Sequence, residues 1–526
     1  MTQPPGSPPH LSSALPQGER RILAIGGGRP GVGHSILAAN LAVYLAQLGR
    51  RVVLVDADGT CPALHSMFGL NLLEPTEPVD PFDSADLEPR PTLVPGLSLV
   101  AQQFTHQSTV PIRPGRKPRW AKGLRLLDAD YIIVDLGPGT SPSTLDLYLS
   151  ADFGICVTAP DPPSVEATYR FMKAVHLRQV RRLLLRDRFR LRQLERALSE
   201  LPPLPSPLEL IRSIRRYDER TAETAAHHMR ELRTYLATNN TRMRGDAELG
   251  RTMVDLAARY LGAHLDDLGH IEHDDAIWLS VVRRRPLLLD NPTSKSARNV
   301  ERIARRIVAV ATSRDMVKRA SIDFFNEERN LYDVLWTHRG ASDEEVRRAY
   351  KRQRDVFQPG SLALSSLLFD EQIMVERGRV EEAQKTLLDP VRRRSYDLSF
   401  FPDASADTSQ RAEYMDEARL AEQFMLQQQL AHEIHAETEF TGELLRRVRQ
   451  SQGILLEEIG RTTKISMTHL RAIEEDSFEN LPAEVYTRGF VGQFAQLLGL
   501  DATQATRTYI RRMRAAKRGH SSEAAD

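Results

Sequence analysis

Ile22-Leu-Ala-Ile-Gly-Gly-Gly-Arg-Pro-Gly-Val-Gly-His-Ser35 is a short β-rich apolar run that empties into a glycine loop. Directly after it, Leu37, Leu41, Tyr44, Leu45 and Leu48 recur at helical spacing, and Gly49 closes that helix. A second β-rich run, Arg51–Val55, follows and ends in Asp56-Ala57-Asp58. A strand, glycine loop, helix and strand in this order is the setting in which a glycine motif carries weight. Glycines let backbone N–H groups turn inward around an anion, and the start of a helix adds a partial positive charge. The stretch therefore predicts a phosphate-binding loop.

The same alternation continues outward through residues 21–313, with further β-rich runs at Leu97–Ala101, Tyr131–Val134, Phe153–Val157 and Leu232–Thr238. It predicts an α/β domain of P-loop NTPase type, a parallel sheet with helices on both faces. Residues 170–231 interrupt it with Arg-rich helical text and no strand pattern, which reads as an inserted helical hairpin. Its arginines fit a solvated face, or else a surface for a partner or nucleic acid. Two small all-α domains are expected beyond a charged linker at 314–329: one at 330–402 and one at 442–515. A polar helical linker at 403–441 joins them, its long helix expected over Asp407–Thr438. Residues 1–20 and 516–526 read as tails. Met316–Phe325 mixes apolar and basic residues and reads as a short linker helix.

Composition narrows the function classes. A chain of 526 residues exceeds a single hydrophobic core. A net charge of +1 excludes a whole-chain basic field for nucleic acid. Two cysteines, Cys61 and Cys156, exclude a disulfide framework and a CxxC metal site, and they fit a reducing compartment. No apolar run reaches the length of a transmembrane helix, and Met1–Gly18 has no apolar signal core. The expectation is a cytoplasmic multidomain protein.

Arg29-Pro-Gly-Val-Gly-His-Ser35 resembles the deviant phosphate loop of the MinD/ParA family, Lys-Gly-Gly-x-Gly-Lys-Ser/Thr. Ala39-Asn-Leu-Ala42, Leu54-Val-Asp-Ala-Asp58, Tyr131-Ile-Ile-Val-Asp135, Val157-Thr-Ala-Pro160 and Leu236-Ala-Thr-Asn239 are similar to later segments of that family. The resemblance implies ATP and Mg²⁺ as ligands. Gly28, Gly31, Val32, Gly33, His34, Ser35 and Ile36 would surround the phosphates, and Asn239 would read the adenine edge. Ser35 would ligate Mg²⁺, with Asp56 and Asp135 supporting it. Asp58 would orient the attacking water, and Arg29 would supply the catalytic cation. The family works through ATP-driven dimerisation, so a homodimer or a partner ATPase is implied.

Three of the seven loop positions depart from the family pattern: Arg29, Pro30 and His34. His34 stands where a lysine would meet the β- and γ-phosphates, and imidazole is mostly neutral at pH 7. Losing a charge-assisted hydrogen bond costs about 1.5–3 kcal/mol, and losing a donor to transition-state charge costs about 10²–10³ in rate. Pro30 deletes an N–H. Binding is expected to persist in weakened form, with hydrolysis slow or absent.

Leu331-Tyr-Asp-Val-Leu335, Ala341–Tyr350 and Asp389-Pro-Val-Arg-Arg-Arg-Ser-Tyr-Asp397 resemble a J domain of the DnaJ family. Ser342 or Asp343 would cap its second helix, and Gln358-Pro359-Gly360 replaces the His-Pro-Asp turn of that family. A docking module without chaperone stimulation is expected. Residues 442–515 are similar to the helix-turn-helix domain of RodZ-type proteins, with a recognition helix expected over Ser466–Glu475. Thr468, His469 and Arg471 are its candidate contacts to DNA or protein, and Glu474-Glu475-Asp476 disfavours phosphate. The combined reading is a nucleotide-binding adaptor or regulator of cellular positioning, in division, flagellation or segregation, with docked protein partners. An active positioning ATPase and a DNA-binding regulator stand beside it.

Overall fold

The computed structural model describes residues 20–58, 61–71, 87–101, 120–312, 322–325, 329–401, 430, 434, 438–452, 454 and 456–523. The helix expected over Asp407–Thr438 lies almost wholly outside them. The chain forms two compact units, whose described parts run from Arg20 to Phe401 and from Leu430 to Glu523.

The first unit is built on eight strands: β1 (Arg21–Gly27), β2 (Val52–Asp56), β3 (Arg90–Pro91), β4 (Leu97–Val100), β5 (Tyr131–Pro138), β6 (Phe153–Thr158), β7 (Thr234–Thr241) and β8 (Leu265–Glu272). They form one sheet in the order β3-β4-β2-β5-β1-β6-β7-β8. Every pairing is parallel except the two-residue β3 against β4. Nearly every residue of β1, β2, β5 and β6 is buried, as expected of parallel strands covered on both sides. The chain leaves β1 toward one edge of the sheet and β6 toward the other. Right-handed crossovers then place the intervening helices on opposite faces. The C-terminal end of β1 is thus the crevice where the winding direction reverses, the usual ligand position in such sheets.

The Arg-rich insertion is larger than the hairpin expected from sequence. Helix Pro162–Leu184 runs into it, and three further helices follow at Arg188–Ser199, Pro207–Tyr217 and Glu219–Glu231. Capping boxes and aspartate caps at Asp187, Ser206 and Asp218 start them. They enclose their own core around Leu194, Ile211, Ile214 and Met229. The linker is drawn into that core. Phe324 is fully buried, Arg212 Nε donates to its carbonyl at 3.3 Å, and Arg230 Nε donates to Ile322 O at 2.9 Å. Residues 322–325, the described part of the linker helix expected over Met316–Phe325, are not helical, and 316–321 lie outside the described residues.

Four helices follow, Leu331–Leu335, Asp343–Val356, Asp370–Leu387 and Pro390–Phe400. Ser342 caps the second through a capping box with Glu345. Tyr332, Leu335, Val346, Ala383 and Leu387 are buried, with Tyr350 and Tyr396 packed half-buried beside them. This bundle shares one continuous core with the sheet domain. Tyr169 OH donates to Ala363 O at 2.8 Å, Tyr260 meets Phe357 edge to face, and Arg259 lies over the Trp336 ring and donates to Asp333 O.

The second unit has helices Gly442–Ser451, Leu456–Thr463, Met467–Glu474, Glu484–Leu497 and Ala502–Glu523 around Leu445, Ile459, Leu470, Phe494 and Tyr509. The last helix continues to Glu523, so the tail expected from 516 begins as helix. No described helix is long and apolar enough to cross a membrane.

Candidate functional site: a phosphate cup with an inward-turned imidazole

The turn between β1 and helix His34–Gln47 needs left-handed backbone at two places. Gly31 has φ +82° and Gly33 φ +101°, a region that other residues enter only with strain. Gly33 is the N-cap of the helix and offers no side chain of its own, so its first amides face the cup. Gly28 packs so closely on helix Pro162–Leu184 that a β-carbon would sit 2.0 Å from Ala167 O. The loop is thereby pinned at its entry by packing and at its exit by the helix start.

His34 does not point out of the cup. Its side chain is buried, and Nε2 lies 2.7 Å from where a β-carbon on Gly27 would stand. That nitrogen has no hydrogen-bond partner. Burial pushes the imidazole down to about 4, against the opposing pull of Asp58. The residue is therefore neutral at physiological pH, more firmly than its ordinary titration implies. Arg29 is also diverted. Nη1 donates to Asp161 Oδ1 at 2.7 Å and to Ser164 Oγ at 3.1 Å, at the start of helix Pro162–Leu184.

Three carboxylates meet at the ends of β2 and β5. Asp56 and Asp135 are register partners. Asp56 accepts from Leu64 N and Asp58 N, so both its oxygens fix the turn that carries Asp58. Burial, then the neighbouring Asp135, push Asp56 up to about 8. Burial pushes Asp135 up to about 6, with the Ser35 hydroxyl and the Gly137 amide pulling it back. Asp58 accepts from Cys61 N and packs on Gly137, where a β-carbon would stand 2.4 Å from Asp58 Cγ.

Asn239 reaches the loop from β7. Its Nδ2 donates to Val32 O at 2.8 Å, and its buried Oδ1 has no partner. Val32 is buried under this contact, and Ile36 O accepts from Asn40 Nδ2 one turn into the helix. The structure thus brings Gly28, Gly31, Val32, Gly33, His34, Ser35, Ile36, Asp56, Asp58, Asp135 and Asn239 together. It turns Arg29 aside to Asp161 and Ser164, two residues the sequence reading had not assigned to the site. Their signal was slight: Asp161-Pro-Pro-Ser164 reads only as a capped helix start.

The chemistry of the pocket fits a phosphate ligand and a magnesium ion. The cup offers backbone donors, the unpartnered His34 Nε2 and Asn239 Oδ1, and the Ser35 hydroxyl beside Asp135. Asp56, raised to about 8, and Asp135, raised to about 6, are carboxyls whose ionisation a bound cation would favour.

In the second unit, Ser466 caps helix Met467–Glu474 through His469 N. Thr468 and Arg471 are exposed. His469 instead stacks on Phe490, with ring centroids 5.4 Å apart. Two of the three acids expected to repel phosphate are consumed internally. Glu474 is buried against Arg449 in a two-pronged pair at 2.6 and 3.0 Å, and Asp476 accepts from Gly442 N and Arg512.

Residues 19–183 match a family model described as ParA, NUBPL iron-transfer P-loop NTPase, and residues 444–505 match a helix-turn-helix domain. An iron-sulfur cluster carrier protein of Aquifex aeolicus is 33% identical over 155 residues, covering 28% of this chain and 41% of the relative. The flagellum site-determining protein YlxH of Helicobacter pylori is 28% identical over 30% of this chain and 54% of its own length. The antiactivator FleN of Pseudomonas aeruginosa is 27% identical over 30% and 56%. The chain thus spans about half or less of these relatives' lengths. Among solved structures, the septum site-determining protein MinD of Pyrococcus horikoshii with Mg-ADP aligns at 18% identity and a TM-score of 0.36, over 57% of this chain and 100% of that one.

Proposed function

We infer, from the premise that this chain carries a ParA/MinD-family P-loop NTPase domain and a separate helix-turn-helix domain, that it is a nucleotide-binding adaptor or regulator in cellular positioning, with weak or absent ATP hydrolysis. The observation that carries this reading is the inward-turned, neutral His34 beside an Arg29 committed to Asp161. Of the two loop positions where the family carries lysines, Arg29 is committed to Asp161 and His34 is neutral, while the backbone donors of the cup remain. Gly31, Gly33 and the helix start would hold phosphate, and Ser35 and Asp135 would hold magnesium. The magnesium ion supplies charge neutralisation to the phosphates. Asn239 stays the candidate for the adenine edge, through its unpartnered Oδ1.

Protein partners are supported by exposed apolar side chains on the β7–β8 side of the sheet. Helix Asp275–Val282 follows the C-terminal end of β8 and leaves Trp278, Val281 and Val282 open, and Met243 is exposed just beyond the adjacent end of β7. Contiguous exposed apolar surface of this kind marks interaction sites. A second copy of this chain or a related ATPase would cover it. The J-like bundle acts in this reading as a docked module: Phe357 and Ala363 are buried on either side of the exposed Gln358-Pro359-Gly360 turn.

An iron-sulfur cargo, suggested by the carrier relatives, does not fit the residues present. Cys61 is exposed after β2, whereas Cys156 is buried within β6. Those strands are three spacings apart in the sheet, about 14 Å. No two thiolates are placed to share a cluster.

The test is titration calorimetry of Mg-ATP into the full chain, with turnover measured in parallel. Wild type is expected to bind without family-typical turnover. His34→Lys is expected to tighten binding roughly tenfold to a hundredfold. Rapid hydrolysis by the wild type, abolished in His34→Ala, would contradict the reading. A second reading, DNA binding through Thr468 and Arg471, gains from the burial of Glu474 against Arg449 and the pairing of Asp476 with Arg512. A mobility shift on duplex DNA, lost in Arg471→Ala and weakened by salt, is its measurement.

A further inference from the structure

The Arg-rich insertion has a turn that neither the cup nor the bundle uses. Helix Pro162–Leu184 begins at the cup's rim and runs for 23 residues, about 34 Å, away from it. At its end the chain reverses through Leu185, Arg186 and Asp187 into helix Arg188–Ser199. Two large apolar side chains protrude at this turn, Leu185 and Phe189, each about half exposed (51% and 55%). Neither belongs to the insertion's core, which Leu184 and Leu194 enter from the same segments.

Seven arginines and two acids lie between positions 181 and 196. The acids are largely accounted for, since Asp187 caps the helix and pairs with Arg190. Arg181, Arg186, Arg188 and Arg192 are exposed and form no ion pair among the described residues. The turn therefore presents two apolar side chains inside a ring of uncompensated guanidiniums. Bare guanidiniums alone would suit any polyanion. A phosphate backbone gives Leu185 and Phe189 nowhere apolar to go. A bilayer surface does, because anionic headgroups lie directly above acyl chains.

We propose that the turn formed by Leu185 and Phe189, ringed by Arg181, Arg186, Arg188 and Arg192, docks the protein on anionic lipid surfaces. The arginines meet the headgroup phosphates, and the two apolar side chains enter the boundary below them. The contact is reversible, since two side chains bury far less than a spanning helix. It weakens as salt rises, because the attraction falls off over a Debye length.

The experiment is flotation of the full chain with vesicles of phosphatidylcholine, alone or mixed with phosphatidylglycerol, at low and physiological salt. Duplex DNA binding is measured alongside. The protein is expected to float with the mixed vesicles only. Arg186→Ala and Arg188→Ala should each reduce partitioning about fivefold, and Leu185→Ser with Phe189→Ser should remove it while thermal unfolding stays unchanged. Val391→Ser, at an exposed residue of the J-like bundle, should bind as wild type. Failure to float with mixed vesicles overturns the proposal. So does flotation that survives the double serine variant, or a set of arginine variants that lose DNA binding and keep vesicle binding.

Discussion

Asp56, the last residue of β2, stands opposite Asp135 of β5 in register, and both hold their protons above the ordinary carboxylate range. Two buried acids at this spacing cannot both ionise without cost. Positive charge placed beside the pair would relieve that cost.

The pH dependence follows from that elevation. The native state keeps protons on Asp56 up to about 8 and on Asp135 up to about 6, where the unfolded chain has released them. Their contribution to stability is complete below the ordinary carboxylate pKa and is lost as pH rises through those values. Without metal, the melting temperature of the first unit should fall between pH 5 and pH 8.5. Asp56→Asn should shrink that fall by about 3 °C or more, given about 1–2 °C per kcal/mol for a unit larger than 250 residues. Equal pH slopes in the two proteins would refute the assignment.

His34 carries the opposite sign. Its folded-state pKa is depressed to about 4, so its contribution to stability is present above about 6.5 and is lost as pH falls through about 4. His34→Gln should flatten the acid limb of the stability curve below pH 6. A proton-detected titration of the His34 ring near 6.5 would show that the imidazole is not enclosed.

Much of the cup is readable in the amino-acid order because it is local. The β1 run, the glycine loop and Asp56-Ala-Asp58 are contiguous, and their periodicities survive. What escapes reading is long-range. Arg29 finds Asp161 across 132 residues, and nothing in either segment announces the pair. The strand β8 lacks a clean apolar run because Asp266, Asp267 and His270 interrupt it, although it is buried at Leu265, Leu268 and Ile271. Glu474 and Asp476 look like surface acids on a recognition helix. Only the fold shows that Arg449 and Arg512 take them up.

The Arg29–Asp161 pair is half exposed, so it contributes little to stability. Its weight lies in where it holds the guanidinium. Asp161→Asn keeps a helix cap and removes the charge. It should leave the melting temperature within about 2 °C of wild type, by the same conversion of energy to temperature, and tighten Mg-ATP binding several-fold as Arg29 turns to the cup. Unchanged affinity in calorimetry would show that Arg29 does not reach the ligand from either position.

Tyr169 is fully buried, and its hydroxyl donates a hydrogen bond from the cup-side helix to Ala363 O of the helical bundle at 331–400. Tyr169→Phe leaves that buried carbonyl without this donor, at a cost of about 1–3 kcal/mol. The expected readout is faster limited proteolysis near residues 358–364 at unchanged helical content. Identical cleavage in both proteins would argue that the bundle is held by other contacts.

In the second unit, Arg449 and Glu474 are 12% and 6% exposed. Removing one partner of such a pair costs about 3–5 kcal/mol, because the other charge stays buried. Arg449→Met should therefore unfold this unit well below the wild-type temperature, whereas Arg471→Ala, on the surface, should not. Calorimetric scans of the full chain separate the two outcomes.

The core that runs unbroken from the sheet into the helical bundle at 331–400 decides where the molecule can be cut. A fragment ending at residue 313 would bare Tyr169 and Tyr260, together with the seat of Phe357, to water. Such a piece would expose a raw apolar scar and precipitate. The smallest piece of the nucleotide-binding half that stays in solution on its own reaches at least to Phe401, whatever boundary the sequence families draw.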